Sequence, residues 1–305
     1  MKSKKLMAGL TCAALLLAPS AALADSTDVQ LIVNNGYVGS SAAEGQPYIT
    51  DAGRTMIPLR VVSESLGYNT DWQTDGSIRI TSKDGSVDVT LQVGSANYTA
   101  NGQAGTFDTV PTLKDDRTYL PARDFTELYG SIYWDNDTRT VWIYQNDEVD
   151  YQVIGTKLLR GNANGIQELT LPAGYTIWGN TQSDPIVAQR DIDGVAYLGI
   201  KCDSDISKPV PLFRVDGTQL TYLTDVYASS SFYVDGSTVY STDGTGAGGW
   251  DYDINPNRLY VTTIGGDTET YTLDFAVNAC TLDMVDGQLV ATDSDGVQHV
   301  IELNA

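Results

Sequence analysis

Histidine is almost missing from this chain: His299 is the only one in 305 residues. That excludes metal centres built from several imidazoles. It also leaves a Ser-His-Asp arrangement only a ring six residues from the chain end, in a tail where His299 alternates with Val297 and Ile301. Cysteine is scarce, three in all, and Cys12 falls in the leader described below. Cys202 and Cys280 remain, too few for a disulfide framework. A single Cys202–Cys280 bridge is open to an oxidising compartment, with two free buried thiols as the alternative. Positive charge is in short supply. Lys and Arg number 18 against 39 Asp and Glu, a net charge of −21, which argues against nucleic acid as a partner. No apolar run after residue 24 approaches the length needed to span a bilayer.

The chain begins with a leader. Lys2, Lys4 and Lys5 precede an apolar stretch from Leu6 to Leu17, and Ala22-Leu23-Ala24 is a small-x-small cleavage site. Residues 1–24 therefore read as a signal peptide, and the protein as secreted or extracellular. Its removal leaves 281 residues with a net charge of −24, enough for two or three domains and without a membrane span.

One stretch is used twice. Arg54-Thr-Met-Ile-Pro58-Leu-Arg60-Val-Val-Ser-Glu64-Ser-Leu-Gly67 returns as Arg117-Thr-Tyr-Leu-Pro121-Ala-Arg123-Asp-Phe-Thr-Glu127-Leu-Tyr-Gly130. Arg, Pro, Arg, Glu and Gly each recur 63 positions later. A Trp and a short alternating segment follow each copy, Trp72 before Ile80 and Trp134 before Ile143. Such self-similarity marks two units of one design. In each, Pro58 or Pro121 can open a helix, where its missing N–H is harmless. Leu59, Val62 and Leu66 form one apolar stripe. Gly67 and Gly130 are placed to stop the helices. Helices this short need a sheet to cover them. The predicted arrangement is a tandem α+β repeat, an antiparallel sheet packed on a short helix twice, over about 30–93 and 94–147. Arg60/Glu64 and Arg123/Glu127 are i, i+4 pairs, read as structural: helix-surface pairing or Arg forks binding strand carbonyls.

The pattern R-T-x-x-P-x-R-x-x-x-E-x-x-G followed by Trp resembles the domain named after the N-terminal region of copper amine oxidase, over roughly 30–146. The resemblance implies a twisted antiparallel sheet on a helix. It also implies a non-catalytic module, found in tandem copies in secreted proteins of Gram-positive bacteria. The oxidase centre itself uses three histidines and a modified tyrosine, so with only His299 the enzyme's activity is not implied.

Residues 148–305 carry almost no helix signal. Val-Asp-Gly recurs at Val215, Val234 and Val285, with Ile192-Asp-Gly194 alongside, about 19 to 23 residues apart where neighbouring. This is hairpin chemistry. The rhythm resembles the propeller-like repeats of bacterial surface proteins, and an all-β, propeller-like or meandering-sheet domain is expected.

Candidate chemistry is sparse. Gly249-Trp250-Asp251-Tyr252-Asp253 closes an acidic Gly-rich loop in which rings stand beside carboxylates, a combination suited to stacking on a sugar. Trp142 and Tyr144 lie on the polar face of their strand and offer a second candidate surface. Asp203-Ser-Asp205 and Asp293-Ser-Asp295 resemble fragments of calcium loops without the full ligand series, so calcium is the one cofactor left open. The sequence reading is a non-enzymatic surface scaffold that binds glycan, cell-wall polymer or another surface protein. Its alternatives are a glycoside-directed hydrolase with carboxylates in the β-rich half, and a wall-associated spacer.

Overall fold

The computed structural model describes residues 29–38, 45–125, 130–179, 185–204, 208–227, 231–244 and 254–303. The predicted leader, residues 1–24, lies outside them.

The first repeat supplies β1 (Gln30–Val33), β2 (Gly36–Val38), β3 (Tyr48–Ile49), β4 (Thr55–Pro58), helix α1 (Leu59–Ser65), β5 (Asn69–Trp72) and β6 (Ser77–Thr81). A connector strand β7 (Asp88–Gln92) leads to the second. That repeat supplies β8 (Asn97–Ala100), β9 (Gln103–Thr106), β10 (Thr112–Lys114), β11 (Arg117–Pro121), a 3-10 turn (Ala122–Phe125), β12 (Ser131–Asp135) and β13 (Thr140–Tyr144).

These repeats exchange strands rather than folding side by side. A central sheet runs β10-β11-β4-β3. In its middle β4 and β11 pair antiparallel, Ile57 opposite Leu120, Pro58 opposite Tyr119 and Met56 opposite Pro121. Ile57 and Leu120 are repeat equivalents, so a local two-fold axis passes between them. The opening hairpin of the first repeat, β1–β2, joins the closing strands of the second in the order β12-β13-β1-β2, with β1 parallel to β13. The opening hairpin of the second, β8–β9, joins β5–β6 of the first through β7. One core results, holding Leu31, Ile57 and Ile78 together with Leu120, Val141 and Ile143.

The expected pair of tandem helix-on-sheet bodies is thereby corrected. Among the described residues there is one α-helix, Leu59–Ser65, in a molecule of several small, mostly antiparallel sheets. The reason is size. A unit of about 60 residues with a two-turn helix buries too little apolar surface alone. Exchange gives both repeats a shared interior. The helix ends as Gly67 N–H bonds the Glu64 carbonyl at 2.9 Å and Tyr68 N–H the Ser63 carbonyl at 2.9 Å. Gly130 holds φ +117 before β12, and a Cβ there would lie 2.7 Å from the Tyr144 carbonyl oxygen, so only glycine fits.

Four meanders follow in chain order. They are β14 (Asp150–Ile154) to β16 (Gly165–Leu169) through β15 (Lys157–Asn162); β17 (Ile186–Ile192), β18 (Val195–Ile200), β19 (Val210–Asp216) and β20 (Gln219–Val226); β21 (Phe232–Asp235), β22 (Thr238–Thr242), β23 (Arg258–Thr263) and β24 (Thr268–Thr272); and β25 (Thr281–Val285), β26 (Gln288–Thr292) and β27 (Gln298–Val300). Each packs on the next. Val153 and Leu158 meet Leu198 and Phe213. Leu212 and Leu223 meet Phe232 and Val239. Leu259 meets Leu282 and Leu289. Arg190 of β17 ties three meanders, donating to the Phe232 carbonyl at 2.7 Å, the Leu282 carbonyl and the Asp283 carboxylate.

Strand β13 is buried along its whole length. Val141 and Ile143 face the shared core. Trp142 and Tyr144 face the other way, onto Ile154 and Leu159 of the first meander. The Trp142 indole N–H donates to the Asn34 carbonyl at 2.6 Å. Gly161 lets the ring in, since a Cβ there would stand 2.8 Å from it. Trp142 is 0% and Tyr144 3% exposed. Their strand face, expected to meet a ligand, instead seals the joint between the two halves. Cys202 and Cys280 are both free. The possible bridge is absent because they sit in different core clusters, one beside Phe213 and the other beside Leu282.

Candidate functional site

The exchange of strands creates a pocket that neither repeat owns. From the first repeat come Pro58 and Arg60 at the start of α1, Glu64 one turn on, and Thr70, Trp72 and Ile78 from the β5–β6 hairpin. From the second come Asp116, Arg117 and Thr118 at the start of β11. The β4–β11 pairing brings them together. The cavity is about 250 Å³, just under the ~300–1,000 Å³ of pockets for drug-sized ligands. It has room for one ring-sized group.

Its lining is mixed. Trp72 lies opposite Ile78 and is 50% exposed. Arg60 approaches Glu64 at 3.9 Å with both side chains largely in water, a pair worth only a few tenths of a kcal/mol by general experience. The Arg60 fork thus faces a carboxylate rather than strand carbonyls. Arg117 donates to the Asp115 carbonyl at 2.9 Å. The Thr70 and Thr118 hydroxyl oxygens are buried without a hydrogen-bond partner. Unpartnered buried polar atoms are uncommon, and here two belong to residues that line one cavity.

Other residues singled out in the sequence fall elsewhere. Pro58 and Pro121 end the central strands. Arg123 is exposed, and Glu127 lies outside the described residues. So do Trp250, Asp251, Tyr252 and Asp253. The chain on either side of them converges on Asp243, a fully buried carboxylate. It accepts from the Asn255 N–H at 2.7 Å and the Tyr260 hydroxyl at 2.8 Å, and pairs with Arg258 at 3.3 Å.

The calcium-loop fragments are turned to other uses. Asp203 pairs with Lys208 at 3.1 Å, while Asp205 lies outside the described residues. Asp293 accepts the N–H groups of Asp295 and Val297 at 3.0 and 2.9 Å. Among the described residues no group of three or more His, Cys, Asp and Glu is placed to hold a metal ion. His299 stacks on Phe275, with ring centroids 4.6 Å apart, and its Nε2 lies 3.4 Å from Asp293. Burial pushes the Cys202 thiol up to about 11, with the Asp225 carboxylate adding to the shift, so it is no ready nucleophile.

Sequence reasoning missed the pocket because its parts lie on different copies of the motif. The recurring Arg-Thr and the recurring Trp were visible; that they meet across copies was not. It also missed Asp135, whose Oδ1 accepts the Thr138 N–H and hydroxyl at 2.8 and 2.9 Å and whose Oδ2 takes Lys157 of β15. This bond crosses from the N-terminal body to the first meander.

The chain is thus a β-rich scaffold carrying a mixed polar and aromatic pocket in its N-terminal body. Residues 32–143 match the family described as copper amine oxidase N-terminal domain, as one domain spanning both repeats rather than two tandem copies. No match is found among curated proteins. Solved structures resemble the chain weakly. YjhT aligns with a TM-score of 0.31 and 10% identity, over 74% of this chain and 71% of its own. A putative 6-phosphogluconolactonase from Bacteroides fragilis NCTC 9343 aligns at 0.26 and 12%, over 84% and 82%. A streptogramin B lyase aligns at 0.24 and 12%, over 91% and 83%. At such scores the likeness carries no argument about chemistry. Among the described residues no helix is long and apolar enough to cross a membrane.

Proposed function

We propose that this is an exported, non-enzymatic saccharide-binding protein whose N-terminal body holds one sugar ring against Trp72. The observation that carries the reading is the pair of unpartnered buried hydroxyls, Thr70 Oγ1 and Thr118 Oγ1, in the wall of a cavity beside an exposed indole. In this reading a change of χ1 rotamer turns each hydroxyl toward the ligand. A sugar supplies both things the pocket lacks: an apolar ring face for the indole, and hydroxyls that donate and accept. Arg60 and Arg117 donate, while Glu64 and Asp116 accept, so a neutral polyhydroxylated ring is matched without a net charge. Partners of this chemistry are cell-wall or environmental glycans.

The test is a glycan panel probed with the wild-type chain and with Trp72→Ala. Binding by the wild type, lost in the variant, supports the reading. Silence of the wild type across the panel ends it. A glycoside-directed hydrolase is the second reading, favoured by Glu64 and Asp116 lining one cavity. Both are exposed, whereas such catalysis asks one carboxyl to stay protonated through burial. Release of reducing sugar from the panel, abolished by Glu64→Gln, would replace binding with turnover.

A further inference from the structure

A second pocket lies where the local two-fold axis sends the first. It is lined by Arg54 and Asp108, by Pro121 and Arg123, and by Ile132 and Trp134, and holds about 240 Å³. Arg54 stands to Arg117, Pro121 to Pro58 and Arg123 to Arg60 as repeat equivalents. Trp134 lies opposite Val141 as Trp72 lies opposite Ile78. The parentage is reversed: here the Trp and the Pro-x-Arg turn come from the second repeat, and the Arg-Thr strand start from the first.

We infer that the chain carries two quasi-equivalent saccharide-ring sites, each completed by an arginine from the other repeat. The inference rests on the reading of the Trp72 pocket. Symmetry of the fold makes the second cavity. Its lining keeps the indole and two guanidiniums and brings a carboxylate of its own, Asp108, paired with Arg54 at 2.7 Å. The copies have diverged at one wall. Ile132 stands where the first pocket has Thr70, and Gly53 where it has Asp116. The Trp134 site therefore offers a ring fewer hydrogen bonds and binds it more weakly.

The experiment follows indole N–H resonances of the isotope-labelled mature chain. Glucose, galactose, N-acetylglucosamine and glucuronate are added in turn, and signals are assigned with Trp72→Phe and Trp134→Phe. The expected result is movement of both the Trp72 and Trp134 resonances, with Trp72 saturating first. Arg117→Gln should weaken the Trp72 response about tenfold, the loss of one charge-assisted hydrogen bond, and leave Trp134 unchanged. Arg54→Gln should do the reverse. The unaffected pocket in each variant reports that the fold is intact. A moving Trp72 with a stationary Trp134 would overturn the second site while leaving the first. Two moving resonances, each insensitive to the arginine of the other repeat, would overturn the crossover. No movement of either with any of the four sugars would end both readings.

Discussion

Asp135 shows how one side chain can close a turn and join two parts of a molecule. Burial pushes its carboxyl up, but the Lys157 ammonium and the Thr138 N–H and hydroxyl outweigh that and hold it below the usual carboxylate range. The Asp135 hydrogen bond raises Lys157 above the usual ammonium range. The depressed carboxyl adds stability above its unfolded value near pH 4, and that stability is lost as pH falls through the folded value. The raised ammonium adds stability below about pH 10, lost as pH rises through its folded value. Asp135→Asn should therefore cost on the order of 3 kcal/mol at neutral pH, and the difference from wild type should shrink as pH falls below the usual carboxylate range. Urea melts at pH 7 and pH 3 measure both. Asp243→Ala should cost a similar amount, because it strands Arg258, the Tyr260 hydroxyl and the Asn255 N–H. Gly161→Ala belongs with these: its Cβ would meet Trp142 at 2.8 Å, and thermal melting should drop by several degrees.

Single elements were legible in the sequence where local chemistry decides them. The helix at Leu59–Ser65 follows its apolar stripe and its Pro-to-Gly punctuation. The meander hairpins turn at the predicted Asp-Gly positions, Asp193-Gly194 between β17 and β18 and Asp286-Gly287 between β25 and β26. Partnership was not legible. The alternation of Trp142 and Tyr144 with Val141 and Ile143 says that two faces differ, not that both are covered. The second copy has Ala122 where the first has Leu59 and makes a 3-10 turn there; the repeat alone gave no warning. The candidate pocket was half visible, as a recurring Trp and recurring arginines whose meeting depends on which strand pairs with which. A prediction follows for β17. Arg190→Ala should loosen three meanders together, and Arg190→Lys should not restore them, because one ammonium cannot replace a fork serving two carbonyls and a carboxylate. Hydrogen exchange at β21 and β25 is the readout.

At the scale of the whole molecule, strand exchange makes the N-terminal body indivisible. A fragment of residues 29–93 lacks β11 and β13 and so the partners of β4 and β1. Circular dichroism should find it unfolded, while 29–147 is folded but carries Ile32, Trp142 and Tyr144 uncovered and should self-associate. The parallel pairing of β1 with β13 also decides how the body answers force. Strand β1 lies at its leading end and β13 at its trailing end, side by side and pointing the same way. Tension applied at the two ends slides one strand along the other, so the ladder's hydrogen bonds are strained together instead of opening in succession. A chain anchored at one end and towed at the other would load that ladder in shear.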